Sequence, residues 1–205
     1  AKELFDQCMV LFQAGHETSA TALVWWSRLV AERADVSQRI QKEINDVLQG
    51  REPTAADVPR LDYLQATLKE AMRLYPPIPA LMSRRAVRDV QLGGWTVPRG
   101  SLVRIAPWVA HHDARWFADP EDFRPERFIA GAESPPRGAW MPFGAGPRVC
   151  IGQHFAMLEM TLVAAMLMQR YALSLDSANS ERPEAVMNVT LRPRGGMRVR
   201  FSRTT

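Results

Sequence analysis

Apolar residues recur at helical spacing from residue 4 to residue 30, which predicts one long helix ending near Ala31. A second helix is expected to open at Asp35, read as its N-cap, and to close near Gly50. A proline-bearing linker follows, and then a third helix over residues 61–74. The run Tyr75, Pro76, Pro77, Ile78, Pro79, Ala80, Leu81, Met82 breaks the period, because successive prolines remove donors and push their neighbours toward extended backbone. It reads as a stiff apolar wall. Short strands are expected over residues 90–92 and 95–97, turned by Gly93 and Gly94, with another over 102–105. Residues 113–149 carry no sustained period and read as loop, a length that in a compact domain signals function or a bound group that organises it. An apolar helix over residues 151–171 and strands over 186–191 and 197–201, separated by residues 193–196, complete the pattern. The expected fold class is mainly α with small β-sheets.

Composition narrows the possibilities. With 46% apolar and 23% charged residues the chain reads as globular, and no run of 18 apolar residues is present to span a membrane. The two cysteines, Cys8 and Cys150, form neither a Cys-x-x-Cys site nor a disulfide framework, which fits a reducing, cytoplasmic setting. Cys8 reads as a buried small apolar residue. The formal net charge of +4 does not point to nucleic acid, because the arginines are scattered and no binding motif accompanies them. His111 and His112 read as polar loop residues without chemistry.

The chemistry is concentrated around Cys150. The run Phe143, Gly144, Ala145, Gly146, Pro147, Arg148, Val149, Cys150, Ile151, Gly152 frames one thiol with glycines, a fixed cation and the start of an apolar helix. Gly144 and Gly146 allow backbone shapes closed to other residues and a close approach by a flat ring, while Pro147 stiffens the turn. At the mouth of a helix the free amides and the dipole favour a negative sulfur, and a thiolate is a soft ligand suited to haem iron. Arg148 offers a fork of donors matched to a carboxylate such as a haem propionate, and Phe143 can shield the sulfur.

On these residues the sequence resembles the cytochrome P-450 family of haem-thiolate monooxygenases, whose signature Phe-x-x-Gly-x-Arg-x-Cys-x-Gly is matched at Phe143, Gly146, Arg148, Cys150 and Gly152. The resemblance implies haem b, iron protoporphyrin IX, with Cys150 as its metal ligand. It extends to Ala14, Gly15, His16, Glu17, Thr18, Ser19, where Ala14 and Gly15 would let haem and O2 come close and Glu17 with Thr18 would be an acid and alcohol pair relaying protons. It also implies that Glu70 and Arg73, three apart on one helix, are joined by Arg127 in a buried structural triad bracing the cysteine loop. Arg84 would be a second propionate partner, in competition with Arg85 and Arg88. Ile78, Pro79, Ala80, Leu81 and Met82, together with residues 187–190 and Val189 among them, would line the substrate pocket.

The activity so implied is insertion of one oxygen atom from O2 into a C–H bond of a small apolar substrate, a fatty acid in the first instance. Electrons would come from a reductase or ferredoxin-type donor carrying flavin or an iron–sulfur cluster. A peroxide-driven peroxygenase shares the cysteine loop but usually lacks the acid and alcohol pair, and a truncated, non-catalytic haem-binding fragment is the other alternative. The chain starts without Met, inside the helix that carries Glu17 and Thr18, and the resemblance covers only the C-terminal half of a family member. Residues 1–205 are therefore expected to be the C-terminal part of a single haem-binding domain, with the N-terminal half of the fold absent and apolar helix faces left bare.

Overall fold

In the computed structural model, residues 2–80, 83–132, 135–176 and 181–204 are described. Helix α1 (Lys2–Ala31) spans the long apolar pattern, but only its second half is in the core, where Ala22, Trp25, Trp26 and Leu29 recur on one face and are fully or almost fully buried. Helix α2 (Ala34–Leu48) turns Val36, Ile40, Ile44 and Leu48 inward at a spacing of four. It begins one residue before Asp35. Arg33 holds the N-cap position, and Asp35 sits in the first turn, where a carboxylate suits the helix dipole and is held by the Arg33 guanidinium at 2.8 Å. The helix stops at Gln49 and Gly50, both with positive φ.

The linker contains a single 3-10 segment, Ala55–Arg60, opened by a capping box between Thr54 and Asp57. Helix α3 (Asp62–Leu74) is buried on nearly every side, and its free N-terminal amides at Tyr63 and Leu64 are satisfied by the Glu43 carboxylate of α2, at 2.7 and 2.9 Å. Trp26 donates its indole N–H to Thr67 on α3, so α1 and α3 share a polar clamp inside an apolar contact. A short helix α4 (Pro107–His111) and helix α5 (Gln153–Arg170) complete the helical part. Helix α5 starts two residues later than expected, because Ile151 and Gly152 form the turn that leads into it.

Among the described residues, eight short strands pair as four separate two-stranded antiparallel sheets. β1 (Arg84–Arg85) pairs with β4 (Leu102–Val103), and β2 (Val90–Leu92) with β3 (Trp95–Val97) across Gly93 and Gly94. β5 (Tyr171–Ser174) pairs with β8 (Arg200–Arg203), and β6 (Ala185–Met187) with β7 (Leu191–Pro193). The single strand expected over residues 186–191 is therefore a tight hairpin. Asn188 breaks it, donating its amide N–H to the Thr190 carbonyl, while the β-branched Val189 and Thr190 disguise the turn. The strand expected over 197–201 lies at Arg200–Arg203, and its partner β5 was hidden in the apolar run leaving α5.

The hairpin is pinned from two sides. The Trp25 indole donates to the Leu191 carbonyl at 2.7 Å, and Leu191 N–H donates to the Pro77 carbonyl at 3.0 Å. Trp25 also stacks flat on Tyr75, 3.8 Å between ring centroids. These contacts gather α1, the proline wall and the β6–β7 hairpin into one unit.

Candidate functional site

Gly144 and Gly146 both have φ near +75°, the left-handed region that costs side-chain-bearing residues strain. A Cβ on Gly146 would meet nothing within 4 Å, so conformation and not space demands glycine there. Gly146–Arg148 makes one 3-10 turn, Gly144 N–H donates to the Met141 carbonyl, and Cys150 N–H donates to the Phe143 carbonyl at 2.9 Å. The loop is closed on itself before α5 begins. Phe143 packs edge-on against Trp140, and Trp140 packs against Phe128 and donates its indole N–H to the Lys69 carbonyl.

Cys150 is exposed, and so are Val149, Ile151 (92%) and Phe155; Cys8, expected in the core, is exposed too, because it lies on the uncovered first half of α1. Arg148 is exposed and has no ion-pair partner among the described residues. Among those residues no group of three or more His, Cys, Asp or Glu is placed to hold a metal ion. One accessible thiol at the approach to a helix, ringed by apolar side chains and accompanied by an unengaged guanidinium, fits a metal whose other positions are filled by its own macrocycle and whose carboxylates need a cation. The residues present therefore fit haem.

The second set lies on α1. Ala14 and Gly15 are exposed, and a Cβ on Gly15 would meet nothing within 4 Å. Thr18 donates its hydroxyl to the Ala14 carbonyl at 2.8 Å. Glu17 turns to the hairpin, where its carboxylate accepts from the Thr190 hydroxyl at 2.5 Å and from Arg192 Nε at 3.1 Å. Those hydrogen bonds, with the charge of Arg192, hold its carboxyl below the usual carboxylate range. Neither Thr190 nor Arg192 stood out in the sequence as a partner of Glu17, because the contact crosses 173 residues to a hairpin that the pattern had read as one strand.

The third set is the buried ion pair. Glu70 and Arg73 are fully buried, and Arg73 meets both carboxylate oxygens, at 2.7 and 2.9 Å. Arg127 approaches Glu70 Oε1 at 3.3 Å and Arg124 N–H donates to the same oxygen. Arg73 spends its remaining donors on the carbonyls of His111, Pro120 and Asp122, and Arg127 spends one on the Asp119 carbonyl. The triad thus organises the coil over residues 111–128. Its connection to the cysteine loop runs through His111, the functional group that sequence reasoning passed over. The only signal was its spacing of four from Pro107, which puts both on the buried face of α4.

Of the expected pocket residues, Ile78 and Ala80 are half-buried and Pro79 is buried, with its carbonyl accepting from Trp108 N–H. Val189 stands 73% exposed at the tip of the hairpin that is bonded to the wall. Leu81 and Met82 lie outside the described residues. Arg84 is exposed on β1, and its guanidinium donates to the Ser83 carbonyl at 3.3 Å.

No helix among the described residues is long and apolar enough to cross a membrane. The family model described as cytochrome P450 matches residues 1–200. A putative cytochrome P450 132 of Mycobacterium tuberculosis is 38% identical over 194 residues, covering 95% of this chain and 41% of that protein. Cyclooctatin synthase of Streptomyces melanosporofaciens is 39% identical over 193 residues, covering 94% of this chain and 42% of that one. The structure of a retinoic acid bound cyanobacterial CYP120A1 superposes with a TM-score of 0.88 at 34% identity, over 96% of this chain and 45% of that chain. The chain thus spans about two-fifths of the length of the curated relatives it matches.

Proposed function

The chain belongs to the cytochrome P450 family, whose members are haem-iron proteins, and on that premise we propose that the protein is a haem-thiolate monooxygenase with Cys150 as the iron ligand. The observation that carries this reading is the exposed Cys150 thiol at the end of a loop locked by two left-handed glycines and by its own amide bond to Phe143. Haem bound there supplies the redox-active iron at which O2 is activated so that one oxygen atom enters a C–H bond.

The chain's own residues serve that chemistry in distinct ways. Phe143 covers the loop on the side of Trp140. Arg148 pairs with a propionate, as does Arg84, and Gly146 and Gly152 keep the approach to the ring free of side chains. Ala14 and Gly15, with little or no side chain, would leave room for haem beside α1. Glu17, fixed as a carboxylate by Thr190 and Arg192, and Thr18 would be the outer and inner members of a proton relay from solvent. The Thr18 hydroxyl proton rests on the Ala14 carbonyl, which leaves its lone pairs free to accept a hydrogen bond.

Ile78, Pro79, Ala80 and Val189 form the substrate wall, and the substrate is a small apolar molecule of the fatty-acid type. Retinoic acid, bound in the cyanobacterial structure, combines an apolar chain with a carboxylate in the same way. The electron donor is a reductase or ferredoxin-type partner carrying flavin or an iron–sulfur cluster, as a separate protein or a fused domain, and the setting is the cytoplasm. Residues 1–205 form the C-terminal part of one haem-binding domain. The test is the absorption spectrum of the reduced full-length protein with carbon monoxide. Thiolate ligation is expected to carry the Soret band far to the red of histidine ligation, and a histidine-type band, or no haem uptake, overturns the reading.

A further inference from the structure

We propose that His111 is the positioning residue that transmits the rigidity of the buried Glu70–Arg73 pair to the thiolate loop, a role that rests on the haem-thiolate reading above. His111 ends α4 and is fully buried. Its Nδ1 is 3.1 Å from the Arg73 carbonyl oxygen, and its Nε2 is 2.9 Å from the Met141 amide nitrogen. A carbonyl only accepts and an amide N–H only donates, so the ring is neutral with its proton on Nδ1. The clasp with Arg73 is mutual, because Arg73 Nη1 donates to the His111 carbonyl at 2.8 Å.

Beyond the ring the bonds continue without a gap. Met141 offers its carbonyl to Gly144 N–H at 3.0 Å, and the Phe143 carbonyl accepts from Cys150 N–H at 2.9 Å. Met141 is thus held at both its amide and its carbonyl, just before Pro142, which has no N–H to offer. A chain of hydrogen bonds therefore runs from Glu70 to the amide of Cys150, and one side chain, that of His111, bridges the ion pair and the loop. Arg127 does not lie on this path, since its bonds go to Glu70 and the Asp119 carbonyl. The two arginines of the triad have different tasks: Arg127 fastens the coil at residues 119–128, and Arg73 fastens His111.

Three variants of the full-length holoprotein separate this role from simple space-filling. His111→Gln reaches the position of Nε2 and can accept from Met141 N–H. His111→Asn reaches only the position of Nδ1, and His111→Phe keeps the volume without either bond. Two readouts are taken on each, the red-shifted carbon monoxide band of the reduced protein and amide hydrogen exchange at Met141 and Cys150. The expected result is a wild-type band and slow exchange in His111→Gln, with at least tenfold faster decay of the band and at least tenfold faster exchange at both amides in His111→Asn. His111→Phe is expected to follow His111→Asn, and if it fails to fold the Asn and Gln pair decides. A His111→Asn protein with wild-type band lifetime and exchange overturns the role, as does a His111→Gln protein as impaired as His111→Asn. A wild-type protein without the red-shifted band overturns the haem-thiolate reading and this inference with it, which separates the two failures.

Discussion

At the scale of single residues, burial decides what a side chain can be. His111 loses water on every side and faces the guanidinium of Arg73, with His112 next along the chain, and burial pushes its pKa down to about 4. In the unfolded chain it titrates near the ordinary value of about 6.5. Between those two values the unfolded chain binds the extra proton and the folded one does not, so stability rises with pH through that window. The contribution is complete above about pH 6.5 and falls by about 3 kcal/mol as pH drops to about 4. Urea unfolding of the full-length protein at intervals across this window is expected to show that slope, and His111→Gln is expected to flatten it. Glu17 shows the opposite use of environment. Hydrogen bonds from Thr190 and Arg192 keep the charge on its half-exposed carboxylate, so its surroundings favour the charged form where those of His111 favour the neutral one.

At the scale of elements, α3 shows why a helix can be legible in its bounds and opaque in its faces. Leu64, Leu68, Ala71 and Met72 announce its apolar side, and its span agrees with the periodicity to within a residue. Glu70 and Arg73 have a spacing that on most helices means a solvated pair worth a fraction of a kcal/mol. Here the coil over residues 111–128 closes over them and satisfies the arginine with three carbonyls, a contact that no local pattern encodes. The resemblance supplied what periodicity could not. The β6–β7 hairpin failed for a related reason, since Val189 and Thr190 have strand-like side chains and only Asn188 marks the turn. Burial also sets the consequence of breaking the pair. Glu70 accepts from Arg73, from Arg127 and from the Arg124 amide, so Glu70→Ala leaves two guanidinium groups and one amide unmatched. The expected loss is about 3 to 5 kcal/mol, read as a lower denaturant midpoint at unchanged slope. A loss below about 1 kcal/mol would mean that the pair is solvated after all.

At the scale of the whole molecule, the distribution of bare apolar surface separates two regions of very different self-sufficiency. Trp25, Trp26 and Leu29 on α1 are completely buried, whereas Leu4, Phe5, Val10, Leu11 and Phe12 on the same helix are exposed, Phe12 to 69%. The exposed residues are not scattered singly, because positions 4, 5, 9 and 12 recur at helical spacing and make one face, a pattern that in stable proteins is covered. Ile151 and Phe155 add a second bare patch beside Cys150. Against this, a formal net charge of +4 on 205 residues gives little mutual repulsion. The core of α2, α3, α5 and the second half of α1 holds those elements together, yet it leaves the first half of α1 with little beyond its own backbone bonds and the Phe12–His16 stack to keep it helical. Expressed as residues 1–205 alone and without haem, the chain is expected to bind an apolar dye strongly and to scatter light increasingly with concentration. Its amides over residues 2–15 are expected to exchange far faster than those over 21–30. A monodisperse preparation with a single sharp melt and uniform protection along α1 would show instead that the bare faces are tolerated, and that the core alone specifies the helix from end to end.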